Sequence, residues 1–79
     1  MKVRLKLFAT YRRYLPPDSS GNALDLTVPP GARVGDLLAQ VGVPERESLV
    51  ILVNGRDAGP ERVLQEGDAV AVFPALAGG

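Results

Sequence analysis

The chain has no cysteine and no histidine, and aromatic residues make up only 5% of it. Without cysteine there is no disulfide staple, thiolate metal site, iron–sulfur cluster or nucleophilic thiol. Without histidine the commonest general base and metal ligand are gone. The nine acidic residues are scattered with no metal-ligand spacing, so no metal site is expected. No apolar run is long enough to span a bilayer, and the N-terminus alternates charged and apolar residues, unlike a signal peptide. The reading is a cytoplasmic protein with no membrane partner. There is also no phosphate-binding Gly-x-x-x-x-Gly-Lys-Ser/Thr loop, so any ATP used would have to be bound by a separate enzyme, and the expectation is no bound cofactor. At 79 residues the chain makes one small domain, near the size where a single core only just suffices. An autonomous enzyme is not the expectation.

What is present is ordinary globular material, 46% apolar and 23% charged. Net charge is zero but unevenly placed. Residues 1–17 hold Lys2, Arg4, Lys6, Arg12 and Arg13 with no acid, giving +5; the remainder sets four arginines against nine carboxylates, giving −5. A basic segment is one footprint of nucleic-acid binding. Here no aromatics interleave a basic groove for base stacking, so a protein partner or a solvated strand face is the better reading.

Lys2 to Phe8 alternates with period two: Val3, Leu5 and Leu7 on one face, Lys2, Arg4, Lys6 and Phe8 on the other. Tyr11, Tyr14 and Leu15 then suit a single helical turn capped by Thr10 and stopped by Pro16-Pro17. Ala23 to Val28 alternates again, with Leu24, Leu26 and Val28 inward. Val34, Leu37, Leu38 and Val41 predict a short amphipathic helix over 34–41, closed by Gly42 and Pro44, with Asp36 in the first turn favoured by the helix dipole. No Ser, Thr, Asp or Asn stands at its N-cap. Leu49 to Val53 is apolar on both faces, the mark of a strand covered twice or lying under a partner. Asn54-Gly55 predicts a tight hairpin turn into a short return strand over 56–58. Val63-Leu64 reads as a small apolar anchor, Gln65 to Asp68 as a turn, and Ala69 to Phe73 as the last strand. Strands around one crossing helix predict an α+β fold: a mixed sheet of about five strands with one main helix on one face, the ubiquitin-like β-grasp.

The tail Phe73-Pro74-Ala75-Leu76-Ala77-Gly78-Gly79 carries no charged side chain and ends on two glycines. Glycine has no Cβ, so Gly78-Gly79 can thread a narrow channel and deliver the α-carboxyl of Gly79 close to a ligand. Pro74, Leu76 and Ala77 would form the flexible, extended stem within residues 74–79. Phe8 and Phe73 fall by parity on the face opposite Val3, Leu5, Leu7, Val70 and Val72. With Arg4 and Lys6 nearby, they describe an apolar centre with a charged rim, which is how a docking patch is built.

Three stretches carry a resemblance: Leu7-Phe8-Ala9-Thr10-Tyr11-Arg12-Arg13; Val53-Asn54-Gly55 with Leu64-Gln65-Glu66-Gly67-Asp68; and Val72 to Gly79. Together they resemble the MoaD/ThiS ubiquitin-like sulfur carriers, most of all the small subunit of molybdopterin synthase. Where that branch often has threonine before the helix, this chain has Arg33.

The resemblance implies a carrier without catalytic machinery of its own. It implies that a ubiquitin-activating-type adenylating enzyme (MoeB/ThiF-like) uses ATP to adenylate Gly79. Sulfur then displaces AMP, leaving a C-terminal thiocarboxylate. It further implies a large molybdopterin synthase subunit (MoaE-like) where that sulfur passes to a pterin precursor in molybdenum cofactor biosynthesis. On this basis Phe8, Phe73, Arg4, Lys6 and Arg12 are candidate partner contacts, Arg12 matching the arginine of the resemblance. Carriers for thiamine synthesis or tRNA thiolation, a protein modifier joined through Gly79 to lysines, and a β-grasp binding module with an inert tail are the alternatives.

Overall fold

The computed structural model describes residues 1–15, 21–43 and 49–74. It contains β1 (Lys2–Leu7), a 3-10 helix (Ala9–Tyr14), β2 (Ala23–Thr27), α1 (Val34–Val41), β3 (Leu49–Val53), β4 (Arg56–Asp57) and β5 (Ala69–Pro74). The sheet order is β2-β1-β5-β3-β4. β1 runs antiparallel to β2 and parallel to β5, and β3 pairs antiparallel with both β5 and β4. The parallel β1–β5 pair at the centre, with a helical crossover after the first hairpin, is the β-grasp arrangement expected from the sequence.

The period-two strands place Val3, Leu5, Leu7, Ile51, Val53, Val70 and Val72 in one buried cluster. Val34, Leu37 and Leu38 of α1 join it, so the helix covers that face of the sheet. Eight residues of helix would not persist alone; burial of this stripe stabilises them. Arg33 holds the N-cap position, and a guanidinium has no acceptor to offer the helix. The start is closed from inside instead, by Asp36 Oδ2 accepting the Arg33 N–H at 2.9 Å. Gly42 ends the helix in the left-handed region, its N–H donating to the Leu38 carbonyl at 2.9 Å.

Several boundaries differ from the sequence expectation. The 3-10 helix starts at Ala9 with Phe8 as N-cap, so Thr10 lies inside the helix and does not cap it. The reason is that Phe8 still donates its N–H to Val72 at 3.1 Å, so strand pairing runs up to the turn itself. The return strand stops at Asp57. Val63 remains 46% exposed, which leaves Leu64 alone as the apolar anchor. β5 extends through Pro74, opposite Leu49, so Pro74 belongs to the strand and not to the stem expected over 74–79. Pro16-Pro17, Pro44 and the tail over 75–79 lie outside the described residues.

One polar network pins the far turns. Asn54 and Gly55 both have positive φ, 52° and 82°, as a type I′ turn demands. The Asn54 side chain does more than turn the chain: Nδ2 donates to Asp68 Oδ1 at 2.9 Å, and Oδ1 accepts from the Ala69 N–H at 2.9 Å. Asp68, only 5% exposed, also accepts the Gln65 N–H at 2.8 Å. Asp68→Ala leaves two donors unmet and is expected to cost about 1–3 kcal/mol. In thermal denaturation that lowers the midpoint by roughly 5–20 °C in a domain of this size, with Asp68→Asn less affected.

Candidate functional site

Because α1 covers one face of the sheet, the other face displays the alternate residues of each strand, and the strand registers arrange them in rows. Nearest the exit of β5 stand Phe8 and Phe73, their rings stacked at a centroid distance of 4.4 Å and an interplanar angle of 6°. Val50 sits opposite Phe73 and is 38% exposed. The next row is Ala23, Lys6, Ala71, Leu52 and Asp57, side by side across all five strands. Beyond it come Asp25, Arg4 and Ala69, and then Thr27 and Lys2 at the far end. Character therefore changes along the strands, from apolar beside the tail's root to charged at the opposite end.

The charged end contains one built pair. Arg4 Nε donates to Asp25 Oδ1 at 2.8 Å and its Nη2 to Oδ2 at 3.2 Å, a two-pronged contact across the β1–β2 pair. Hydrogen bonding to Asp25 raises the Arg4 pKa, and the same bond holds the Asp25 carboxyl below its ordinary value. The pair thus stays ionised at neutral pH and is lost only as pH falls through Asp25's lowered pKa. Both side chains remain more than half exposed, so the contact orients Arg4 more than it stabilises the fold. Lys2, Arg4, Lys6, Asp25, Thr27 and Glu66 surround a groove of about 590 Å³ here.

The predicted site residues are thus partly assembled. Phe8 and Phe73 touch, and Lys6 is one row away. Arg4 shares the face but is held by Asp25. Of the two arginines after β1, Arg13 stacks on Tyr14, its guanidinium carbon 5.2 Å from the ring centroid, whereas Arg12 is exposed to solvent. Leu76, Ala77, Gly78 and Gly79 lie outside the described residues. Val50 and Leu52 are additions to the site. Their signal was the double-faced apolar pattern of Leu49 to Val53, but placing them beside Phe73 and Ala71 needs the β3–β5 register.

No described helix is long and apolar enough to cross a membrane. Among the described residues no cluster of three or more Asp or Glu is placed to hold a metal ion.

Comparison with known proteins gives this face a context. The chain is similar to small archaeal modifier protein 1 (SAMP1) from Haloferax volcanii, with 26% identity over 100% of both chains and a TM-score of 0.74. It is similar to a protein of Pyrococcus furiosus described as molybdopterin converting factor, subunit 1: 30% identity, 95% of this chain and 98% of that one, TM-score 0.71. The small archaeal modifier protein 1 of Methanosarcina acetivorans matches at 25% identity over 99% and 96% of the two chains, TM-score 0.69. The comparison with curated proteins finds no match. The family model described as Mut7-C ubiquitin matches residues 1–78, so the chain is a member of that family of ubiquitin-like proteins.

Proposed function

We propose that the protein is a sulfur carrier, the small subunit of a molybdopterin synthase, and that the Gly79 carboxylate is its reacting group. A carboxylate is a poor electrophile. Attack of its oxygen on the α-phosphorus of ATP, in a separate adenylating enzyme, releases pyrophosphate and leaves an acyl adenylate. Hydrosulfide then adds to the acyl carbon, the C–O bond to AMP breaks, and a thiocarboxylate remains. In the synthase the thiocarboxylate sulfur passes to a pterin precursor, and water returns the terminus to a carboxylate.

The observation that carries this reading is the position of the Phe8–Phe73 stack. It lies on the face opposite α1, at the end of the central strand from which the Gly-Gly tail continues in sequence. A partner seated on Phe8, Phe73, Val50 and Leu52 would hold the root of the tail beside its own reaction site. Similarity to a molybdopterin converting factor subunit supports the choice of pathway. Similarity to small archaeal modifier proteins supports a second reading, in which the same activated carboxyl is joined to lysines as a protein modifier.

The two readings part in one reaction. Thiocarboxylated protein is supplied to the large synthase subunit and a pterin precursor. The carrier reading expects sulfur to appear in the pterin and the protein to return to its unmodified mass. Isopeptide-linked lysines on cellular proteins, with no sulfur in the pterin, would select the modifier reading.

A further inference from the structure

Lys2 and Lys6 are the only lysines in the chain, and both project from β1 on the open face. They flank Arg4, whose guanidinium is already held by Asp25. Neither lysine has an ion-pair partner among the described residues. Lys6 occupies a particular setting: its cross-strand neighbours are Ala23 on one side and Ala71 on the other, with Leu52 next in the row. Alanines are too short to shield an ammonium, and they make its surroundings apolar once a partner covers them. One row away is the aromatic stack.

We infer that the partner docking on this face carries acidic side chains, one of which pairs with Lys6, while Lys2 adds attraction at the end of the face remote from the tail. This rests on the docking reading of the Phe8–Phe73 face and adds the chemistry and direction of the surface that fits it. A rise of about 3.3 Å per strand residue puts Lys6 roughly 7 Å and Lys2 roughly 20 Å from Phe8 along β1. The partner therefore presents an apolar hollow near its reaction site and carboxylates leading away from it. A nucleic acid or lipid surface fits less well, because a continuous run of phosphates could not avoid Asp25 and Glu66 in the same groove, whereas protein carboxylates can be placed singly over the lysines. A carboxylate placed over Lys6, one row from the aromatic stack, is sheltered from solvent and salt by the docked partner, whereas one near Lys2 at the far end of the face is not. Lys6 then contributes to residence as well as to encounter; Lys2 contributes mainly to encounter.

The test is stopped-flow association of the 79-residue chain with its cognate adenylating enzyme across ionic strength. Lys6→Glu, Lys6→Arg, Lys2→Glu and Phe73→Ser are compared, each checked for folding by thermal melt. At low salt Lys6→Glu is expected to slow association roughly tenfold and speed dissociation, Lys2→Glu to slow association by about threefold, and Lys6→Arg to preserve both rates. The Lys2 deficit should vanish at high salt. Amine acetylation gives a direct companion reading. Lys2 and Lys6 are the only side-chain amines, and the Met1 ammonium is occupied by the Val28 carbonyl at 2.8 Å. Lys6 should be protected in the complex.

Unchanged rates for Lys6→Glu, with Phe73→Ser weakening the complex, would overturn the acidic-partner inference and leave the docking reading standing. No effect from any variant would overturn both. Slowed binding by Lys6→Glu with Phe73→Ser neutral would keep the acidic contact and remove the apolar one. Binding of single-stranded RNA or phosphatidylserine vesicles that Lys6→Glu abolishes would assign the lysines to a polyanion and overturn the inference.

Discussion

Deletion of Gly78 and Gly79 is expected to abolish ATP-dependent sulfur loading while leaving the fold and partner affinity in place. Removing two residues shortens the greatest reach of the tail by about 7 Å. Misplacement of a reacting group by even 1 Å can cost about 100-fold, so loading should fall by more than about 10³-fold, below detection in ordinary assays. The new terminus, Ala77, would also bring a Cβ to a channel that glycine is suited to thread. The truncated chain keeps the described core and the Phe8–Phe73 stack, so its thermal midpoint should be unchanged and its dissociation constant for the adenylating enzyme should stay within about threefold of the intact chain. Intact loading by the truncated chain would remove Gly79 from the reaction. Equal loss of binding and loading would show that the glycines anchor the complex.

Replacing Phe73 by serine should do the reverse, weakening docking while leaving the terminus chemically competent. Phe73 stacks on Phe8 and faces Val50 across the β3–β5 pair, so the change opens the centre of the apolar row. Aromatic residues at the centre of a docking patch commonly carry 2 kcal/mol or more when truncated. The dissociation constant should rise roughly 30- to 100-fold, with the loading rate recovering at saturating enzyme. Phe73→Leu, which keeps apolar area but not the stack, should lose about tenfold or less. Isothermal titration separates these values, and a thermal melt of each variant shows that the sheet persists. A loss of maximal rate with unchanged affinity would place Phe73 in tail delivery and not in docking.

Much of this surface was legible in the sequence because a strand has a strict period of two. Parity alone put Phe8 and Phe73 on the face opposite Val3 and Val70, and the structure brings their rings into contact. Parity says nothing of which strand lies beside which. That is why Val50 and Leu52 were visible only as a doubly apolar run, and why Arg4 read only as part of a charged rim. Its partner, Asp25, lies 21 positions away in sequence, and their pairing depends on the β1–β2 register. Asn54 was legible as a turn residue, since positive φ is a local property. Its hold on Asp68 is not local, being a hydrogen bond between two turns brought together by β3 and β5. The helix was read to the residue because its apolar spacing and Gly42 fix both ends, whereas Thr10 failed as a cap because strand pairing, which outranks capping preference, ran on to Phe8.

The central claim is that the Gly79 carboxyl accepts sulfur. The most direct measurement is the intact mass of the 79-residue chain after incubation with ATP, a sulfur source and the cognate adenylating enzyme, with the Gly78-Gly79 deletion alongside. Exchange of one oxygen for one sulfur is expected in the 79-residue chain and not in the deletion, located to Gly79 by fragmentation. An unchanged mass, with the same enzyme shown to load another carrier, would contradict it.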